Sequence, residues 1–411
     1  MRKITFLWIV LLVAISTYGQ QQVKVVSDES GCRLEVDGKP FFVVGMNWDY
    51  FPIGTNYVYS LWNQPEDVIQ EALDKEMPLL KQMGVNAIRQ YASIPPQWIQ
   101  YIYEKYGIYT MINHSFGRYG VMVNGRDYHH TDYTKDEVCE YLLREMEDFA
   151  NNYRNTPGLL MYLLGNENNY GLFWAGAETE SIPVADSLNN QQARCMYSLM
   201  NEAAIKIKEI DPSRPVAICN GDLMFIDIIA EMCSDVDILG VNSYRGKSFD
   251  KLFSDVKEKY GRPVLFTEFG SDAFNAVTQQ EAQEEQADIL LSNWKEIYLN
   301  AAGMGQAGNC IGGFTFQFSD GWWKYEQKTN LDVHDTHASW ANGGYEFDYV
   351  EGKNNMNEEW FGICGKGQPD SRGIYELYPR KAYEVLQAVH RFQPYASSMS
   401  SLHEIIDNHT K

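Results

Sequence analysis

Short apolar runs that end in polar or ionisable residues recur along the chain, separated by stretches of helical period. Phe41 to Gly45 reads as a first buried strand, and Val85 to Gln90, Ile108 to Asn113 and Leu159 to Leu164 follow it. Pro215 to Cys219, Val236 to Val241, Pro263 to Thr267 and Ile311 to Phe316 repeat the pattern. Between these runs the spacing predicts helices over Pro65 to Met83, stopped by Gly84, and over Pro96 to Tyr106, stopped by Gly107. Further helices are expected over Thr134 to Tyr153, Asn189 to Ile210, Leu223 to Met232, Phe249 to Tyr260, Gln279 to Ala302 and Arg380 to Arg391.

Strands that are apolar throughout and alternate with helices specify a parallel sheet covered on both faces. Eight of them close most simply into an α/β (β/α)8 TIM barrel. An open doubly wound sheet is the competitor, and Gly303 to Gly308 spells its G-x-G-x-x-G fingerprint. That fingerprint must follow a strand and open a helix, whereas this one follows a helix and precedes a strand, so it reads as a helix stop and loop. The expected organisation is a signal segment over residues 1–19, an N-terminal hairpin over 20–40, a barrel with long loops over 41–393 and a tail over 394–411.

The signal segment rests on Arg2 and Lys3 before an apolar stretch from Ile4 to Ile15, then Thr17 and Gly19 placed for cleavage. That stretch is shorter than the roughly 18–20 residues that span a bilayer, so no membrane span is expected. The formal charge of −21 repels nucleic acid and anionic lipid. Seven cysteines without a C-x-x-C spacing give no zinc ribbon or redox motif, and their odd number leaves at least one unpaired. The 10 Trp and 27 Tyr suit stacking against sugar rings, although core packing accounts for many of them.

In such a barrel the active site lies where the strands end at their C-termini, so the terminal residues carry the chemistry. Here they include Asn47 and Trp48, Arg89, His114, Asn166 with Glu167, Asn242 with Tyr244, Glu268, and Gln317 followed by Trp322 and Trp323. Glu167 closes the run L-L-G-N-E, and Glu268 closes P-V-L-F-T-E. Two facing carboxyls fit glycosidic cleavage, in which one protonates the departing oxygen while the other attacks the anomeric carbon or activates water. The two must titrate differently, and Arg89 with Tyr244 beside one of them is the candidate source of that difference.

With both glutamates in register with the strands, the sequence resembles clan A of the glycoside hydrolases, retaining enzymes on (β/α)8 barrels. The motifs G-V-N-A-I-R, Y-G-I-Y, G-N-E, V-N-S-Y and F-T-E-F-G are similar to two groups within it, the barrel domain of the family 2 β-glycosidases and the fungal β-1,3-glucanosyltransferases. The resemblance implies that Glu167, after Asn166, is the acid/base and Glu268 the nucleophile, with Arg89, His114 and Tyr244 in support. It also implies an oligosaccharide or polysaccharide substrate, with a neutral β-glucan the leading expectation and transglycosylation an alternative outcome. A carbohydrate-binding protein on a degenerate barrel is the reading from another class, and the presence of both glutamates argues against it.

Arg89 and His114 each have a structural reading as well, as an ion-pair member and a hydrogen-bonded rim residue. The segment Asp332 to His337 has the acids and imidazoles of a ligand cluster, yet it lacks helical pairing, and neither a metal nor an organic cofactor is expected. Export predicts a mature N-terminus near Gln20, to be read by mass spectrometry of the native protein. Recovery of intact Met1 to Gly19 overturns that expectation.

Overall fold

A computed structural model describes residues 21–91, 93–172, 187–324 and 326–409, so the expected signal segment lies outside the described residues. The eight apolar runs form one closed, all-parallel barrel, a (β/α)8 TIM barrel, in chain order. Its strands are β1 (Val43–Asn47), β2 (Ala87–Tyr91), β3 (Tyr109–His114), β4 (Leu159–Leu164), β5 (Val216–Gly221), β6 (Ile238–Asn242), β7 (Val264–Phe269) and β8 (Cys310–Thr315). Around it stand α1 (Glu66–Met83), α2 (Pro96–Tyr106), α3 (Asp136–Tyr153), α4 (Ser187–Ile210), α5 (Ile226–Met232), α6 (Leu252–Lys259), α7 (Gln283–Leu299) and α8 (Lys381–Val389). β8 closes onto β1 with Gly313 opposite Val44 and Thr315 opposite Met46.

Local chemistry explains the helix boundaries. In α1, Glu66 and Asp67 occupy the first turn, where the helix dipole favours acids, and Gly84 ends the helix at φ 93° with its N–H bonded to Leu80 and Lys81 carbonyls. Several expected helices begin later than their period suggests. α7 starts at Gln283 rather than Gln279 because Gln280–Glu281 pair with Phe274–Asn275 in a small β-ladder.

Side chains alternate across each strand, which divides the core in two. Val43, Ala87, Met111, Leu163, Ala217 and Leu265 fill the barrel interior, whereas Val44, Ile88, Ile112, Leu164, Ile218 and Phe266 face the helices. Below the barrel the N-terminal segment forms a three-stranded antiparallel sheet, Val23–Asp28, Gly31–Val36 and Lys39–Phe41, where a single hairpin was expected. The extra turn is Asp37-Gly38, whose φ values of 50° and 74° suit a tight two-residue hairpin. Val23, Leu34 and Val36 of this sheet join the interior cluster and plug the floor. The Gly303–Gly308 loop docks the sheet, Gly303 N–H donating to Ser30 O at 2.9 Å and Gly308 O accepting from Cys32 N at 2.8 Å.

The C-terminal segment, expected as a tail, contains a helix over Met399–Asp407. Ser398 caps it, and the i, i+4 pair Leu402 and Ile406 is buried against α7 and α8, a short signal that its polar neighbours mask. At the other end of α8 the Arg380 guanidinium grips Asp320 through two bonds of 2.8 and 2.7 Å and also reaches Glu281 at 2.6 Å. Arg380 and Asp320 are nearly inaccessible, with side chains 4% and 1% exposed. Arg380→Ala strands a buried carboxylate, so a loss of about 3–5 kcal/mol is expected in denaturant unfolding.

Candidate active site

On β1, β2 and β3 strand parity decides which terminal side chains enter the mouth, whereas a register shift in β7 between Phe266 and Phe269 brings in Glu268 next to the inward Thr267. Asn47, Arg89 and Asn113 share the inward parity of Val43, Ala87 and Met111. Trp48 and His114 share the outward parity of Val44 and Ile112, and the structure places both outside the site. Trp48 is buried against α1, its indole N–H donating to Glu76 at 2.6 Å. His114 packs on Phe149 of α3 with ring centroids 5.4 Å apart, and its Nδ1 accepts from the Phe116 N–H at 3.1 Å. Burial pushes its pKa down to about 4, the behaviour of a neutral ring.

Glu268 and Glu167 meet at the rim of one cavity of about 760 Å³. One oxygen of Glu268 accepts from Arg89 Nη1 at 2.6 Å and the other from the Tyr244 hydroxyl at 3.0 Å. Arg89 holds more than the acid. Its Nε and Nη2 grip Asn113 Oδ1 at 3.0 and 2.6 Å, and Nη2 also reaches Asn166 Oδ1 at 2.9 Å. Nη1 further donates to the Thr267 carbonyl at 3.3 Å and Asn47 Oδ1 at 3.4 Å, so one buried cation ties together residues from β1, β2, β3, β7 and the β4 end.

Glu167 has a different environment. It sits in the left-handed region at φ 56°, which costs a non-glycine residue roughly 1–2 kcal/mol. That turn breaks the β4 direction and tips the side chain into the mouth, where Oε1 accepts from Asn242 Nδ2 at 3.0 Å. Burial and then the nearby charge of Glu268 push its pKa up to about 8, against the opposing pull of Asn242, Arg118 and Arg89. Asn242 is itself held by Asn166 Oδ1 at 3.1 Å and by the Thr267 hydroxyl at 2.7 Å.

Of the remaining candidates, Asn47, Asn166, Gln317 and Trp323 line the cavity with Tyr244 and Asn242. Trp322 does not. Its ring lies parallel to His334 at 4.6 Å, and His334 lies parallel to Trp360 at 3.7 Å. This stack accounts for His334 of the Asp332–His337 segment, the second histidine, His337, lies 2.7 Å from Asp335 Oδ1, and the described residues hold no group of three metal-ligating side chains. The sequence reading missed Tyr119, whose hydroxyl accepts from Asn166 Nδ2 at 3.0 Å, and Lys366, buried in the wall and donating to Phe51 O at 2.9 Å. Tyr119 comes from the loop after β3 and Lys366 from a small two-stranded ladder, Cys364–Lys366 with Leu377–Pro379, beyond β8, so neither ends a barrel strand. All seven cysteines are unpaired, and Cys219 is a small inward residue beneath the site.

The glycosyl hydrolases family 2 TIM barrel domain model matches residues 66–330. The chain belongs to this family. Among curated proteins it is 24% identical over 266 residues to a β-galactosidase of Lactococcus lactis subsp. lactis, covering 62% of this chain and 22% of that protein. A β-galactosidase of Bacteroides ovatus is 26% identical over 216 residues, covering 49% of this chain and 23% of its own. The chain thus spans under a quarter of the length of these relatives. The crystal structure of a family 2 β-galacturonidase from Eisenbergiella tayi bound to galacturonate superposes over 90% of this chain and 54% of that one, with a TM-score of 0.51 at 17% identity. That likeness is one of fold.

The electrostatics of the pair can be read directly. A carboxyl-selective NMR titration is expected to show Glu167 binding its proton well above the ordinary glutamate range, and Glu268→Gln, by removing a negative neighbour, to lower that pKa. An unmoved Glu167 titration in the variant excludes the coupling.

Proposed function

We propose that the protein is a retaining β-glycosidase acting on a neutral β-linked glycan. The observation that carries this reading is the unequal treatment of two acids in one cavity, Glu268 paired with Arg89 and Tyr244, Glu167 buried with, among the described residues, the Asn242 amide as its side-chain donor. In the first step Glu167 gives its proton to the glycosidic oxygen as the bond to the anomeric carbon breaks, and Glu268 attacks that carbon from the opposite face. The Arg89 and Tyr244 bonds aim the attacking carboxylate, and the covalent ester it forms disperses its charge. In the second step Glu167, now a carboxylate, takes a proton from water, which displaces Glu268 and leaves the β configuration in place. A sugar hydroxyl in place of water gives transglycosylation from the same site.

Charge supports a neutral glycone. Carboxylates dominate the lining, where Asp49, Asp222, Asp320 and Glu358 accompany the central pair. The cations of the wall are engaged: Arg245 is ion-paired with Asp222, and Lys366 stands in the field of Glu76, Asp320 and Asp49. The two cations among the lining residues, Arg245 and Lys366, thus already face carboxylates, which leaves neither to receive the carboxylate of a uronate such as the one bound by the Eisenbergiella protein. The β-glucan expectation rests on the resemblance to the glucanosyltransferases, and the names of the family 2 relatives add β-galactosides to the substrates to be assayed.

A fluorinated mechanism-based glycoside is expected to label a peptide containing Glu268, and NMR of early hydrolysis to show the β anomer released first. The value of kcat/KM should fall as pH rises through about 8, because Glu167 above that pH has no proton to give. First release of the α anomer overturns the retaining assignment.

A further inference from the structure

The cavity continues outward as an aromatic row that the two acids do not use. Phe51, in the loop after β1, and Trp323, in the loop after β8, both line the cavity. Their rings meet edge to face at 5.4 Å. Tyr57 also packs on Trp323, at 5.7 Å between centroids, and is 45% exposed. The row therefore leads from the cavity wall to solvent.

The two loops that carry it are fastened together. Asn56 Nδ2 donates to the Gln327 carbonyl at 2.8 Å, and Gly54 N–H donates to the Leu331 carbonyl at 2.9 Å. Behind Phe51, the buried Lys366 ammonium holds the Phe51 carbonyl at 2.9 Å. These bonds fix the rings before any ligand arrives, which lowers the ordering cost of binding. Aromatic faces of this kind bury the apolar C–H face of a pyranose while its hydroxyls stay in water.

Position decides which part of a glycan meets the row. In the closed barrel β8 lies diametrically across from β4, and β1 is next to β8. The departing sugar must leave beside the proton donor, at the β4 end where Glu167 stands. A row at the β8 and β1 ends is therefore on the side of the sugar that is transferred to Glu268. Resting on the glycosidase reading above, we infer that Trp323, Phe51 and Tyr57 form a binding platform for a further sugar unit on the glycone side of the cleaved bond. The substrate is then a chain cut at least two units from its non-reducing end, rather than one trimmed by single terminal residues.

The test compares aryl β-monoglycosides with the matching aryl glycosides of β-linked disaccharides, in gluco and galacto series, using the full protein. Wild type should favour the disaccharide donors. Trp323→Ala and Tyr57→Ala should each lower kcat/KM on them by about tenfold, the loss typical of removing a central aromatic contact, and Tyr57→Ala, outside the cavity lining, should change the monoglycoside values by much less. Trp323→Phe should restore most of the difference, and unchanged melting temperatures of Tyr57→Ala separate the platform from loop stability. Equal losses on both donors in Tyr57→Ala, or no preference for disaccharide donors in wild type, overturn the platform. Calorimetric binding of a β-linked tetrasaccharide serves as an independent reading. Binding that depends on Trp323, with no turnover of any donor, upholds the platform and overturns the glycosidase reading alone; neither binding nor turnover overturns both.

Discussion

Arg89 is the constraint on which the mouth of this barrel depends. A guanidinium removed from water must have its charge balanced and its donors satisfied, and here Glu268 supplies the charge while Asn47, Asn113, Asn166 and the Thr267 carbonyl supply acceptors. Those partners come from strands distant in sequence, so satisfying one side chain sets the relative height and rotation of most of the strand ends. The planar fork also fixes direction, which a lysine at the same place could not do. Glu268 is consequently a held carboxylate, and its orientation is settled before substrate arrives.

The same arrangement makes the other acid different. Arg89 is occupied by Glu268 and the amides, so Glu167 is left with Asn242 and a buried environment, under the field of Glu268. The raised pKa of Glu167 follows from its burial and then from the charge of Glu268, the carboxyl that Arg89 serves. The left-handed backbone at Glu167 ends β4 where its carboxyl meets Asn242.

Rigidity below and above the site comes from separate devices. The N-terminal sheet seals the barrel floor with Leu34 and Val36, while the Arg380–Asp320 clamp and the stacked Trp322, His334 and Trp360 rings brace the long loop after β8. That loop carries Trp323 to the cavity wall. Loops of this length are where closely related barrels differ in substrate, since the strands themselves must keep their register.

The sequence alone determined the barrel, because eight uniformly apolar runs alternating with helical periods leave few other ways to bury both faces of a sheet. It also located both glutamates, since a charged residue that ends a buried strand has to emerge at the rim. Which strand-end side chain turns inward was decided by the structure: Asn113 and Asn47 enter the mouth, so His114 faces α3 and Trp48 faces α1, while Glu268 enters through a register shift in β7 that no local pattern shows. What only the tertiary structure decided were contacts between segments far apart in the chain. Tyr119 and Lys366 reach the cavity from a loop and a small ladder outside the barrel whose paths no local pattern encodes, the C-terminal helix is held by a groove between α7 and α8, and Trp322 and Trp323, adjacent in sequence, part company because one stacks on His334 and the other meets Phe51 edge to face. Periodicity reports which face of an element is buried, but the partner that buries it is set by packing across the whole fold.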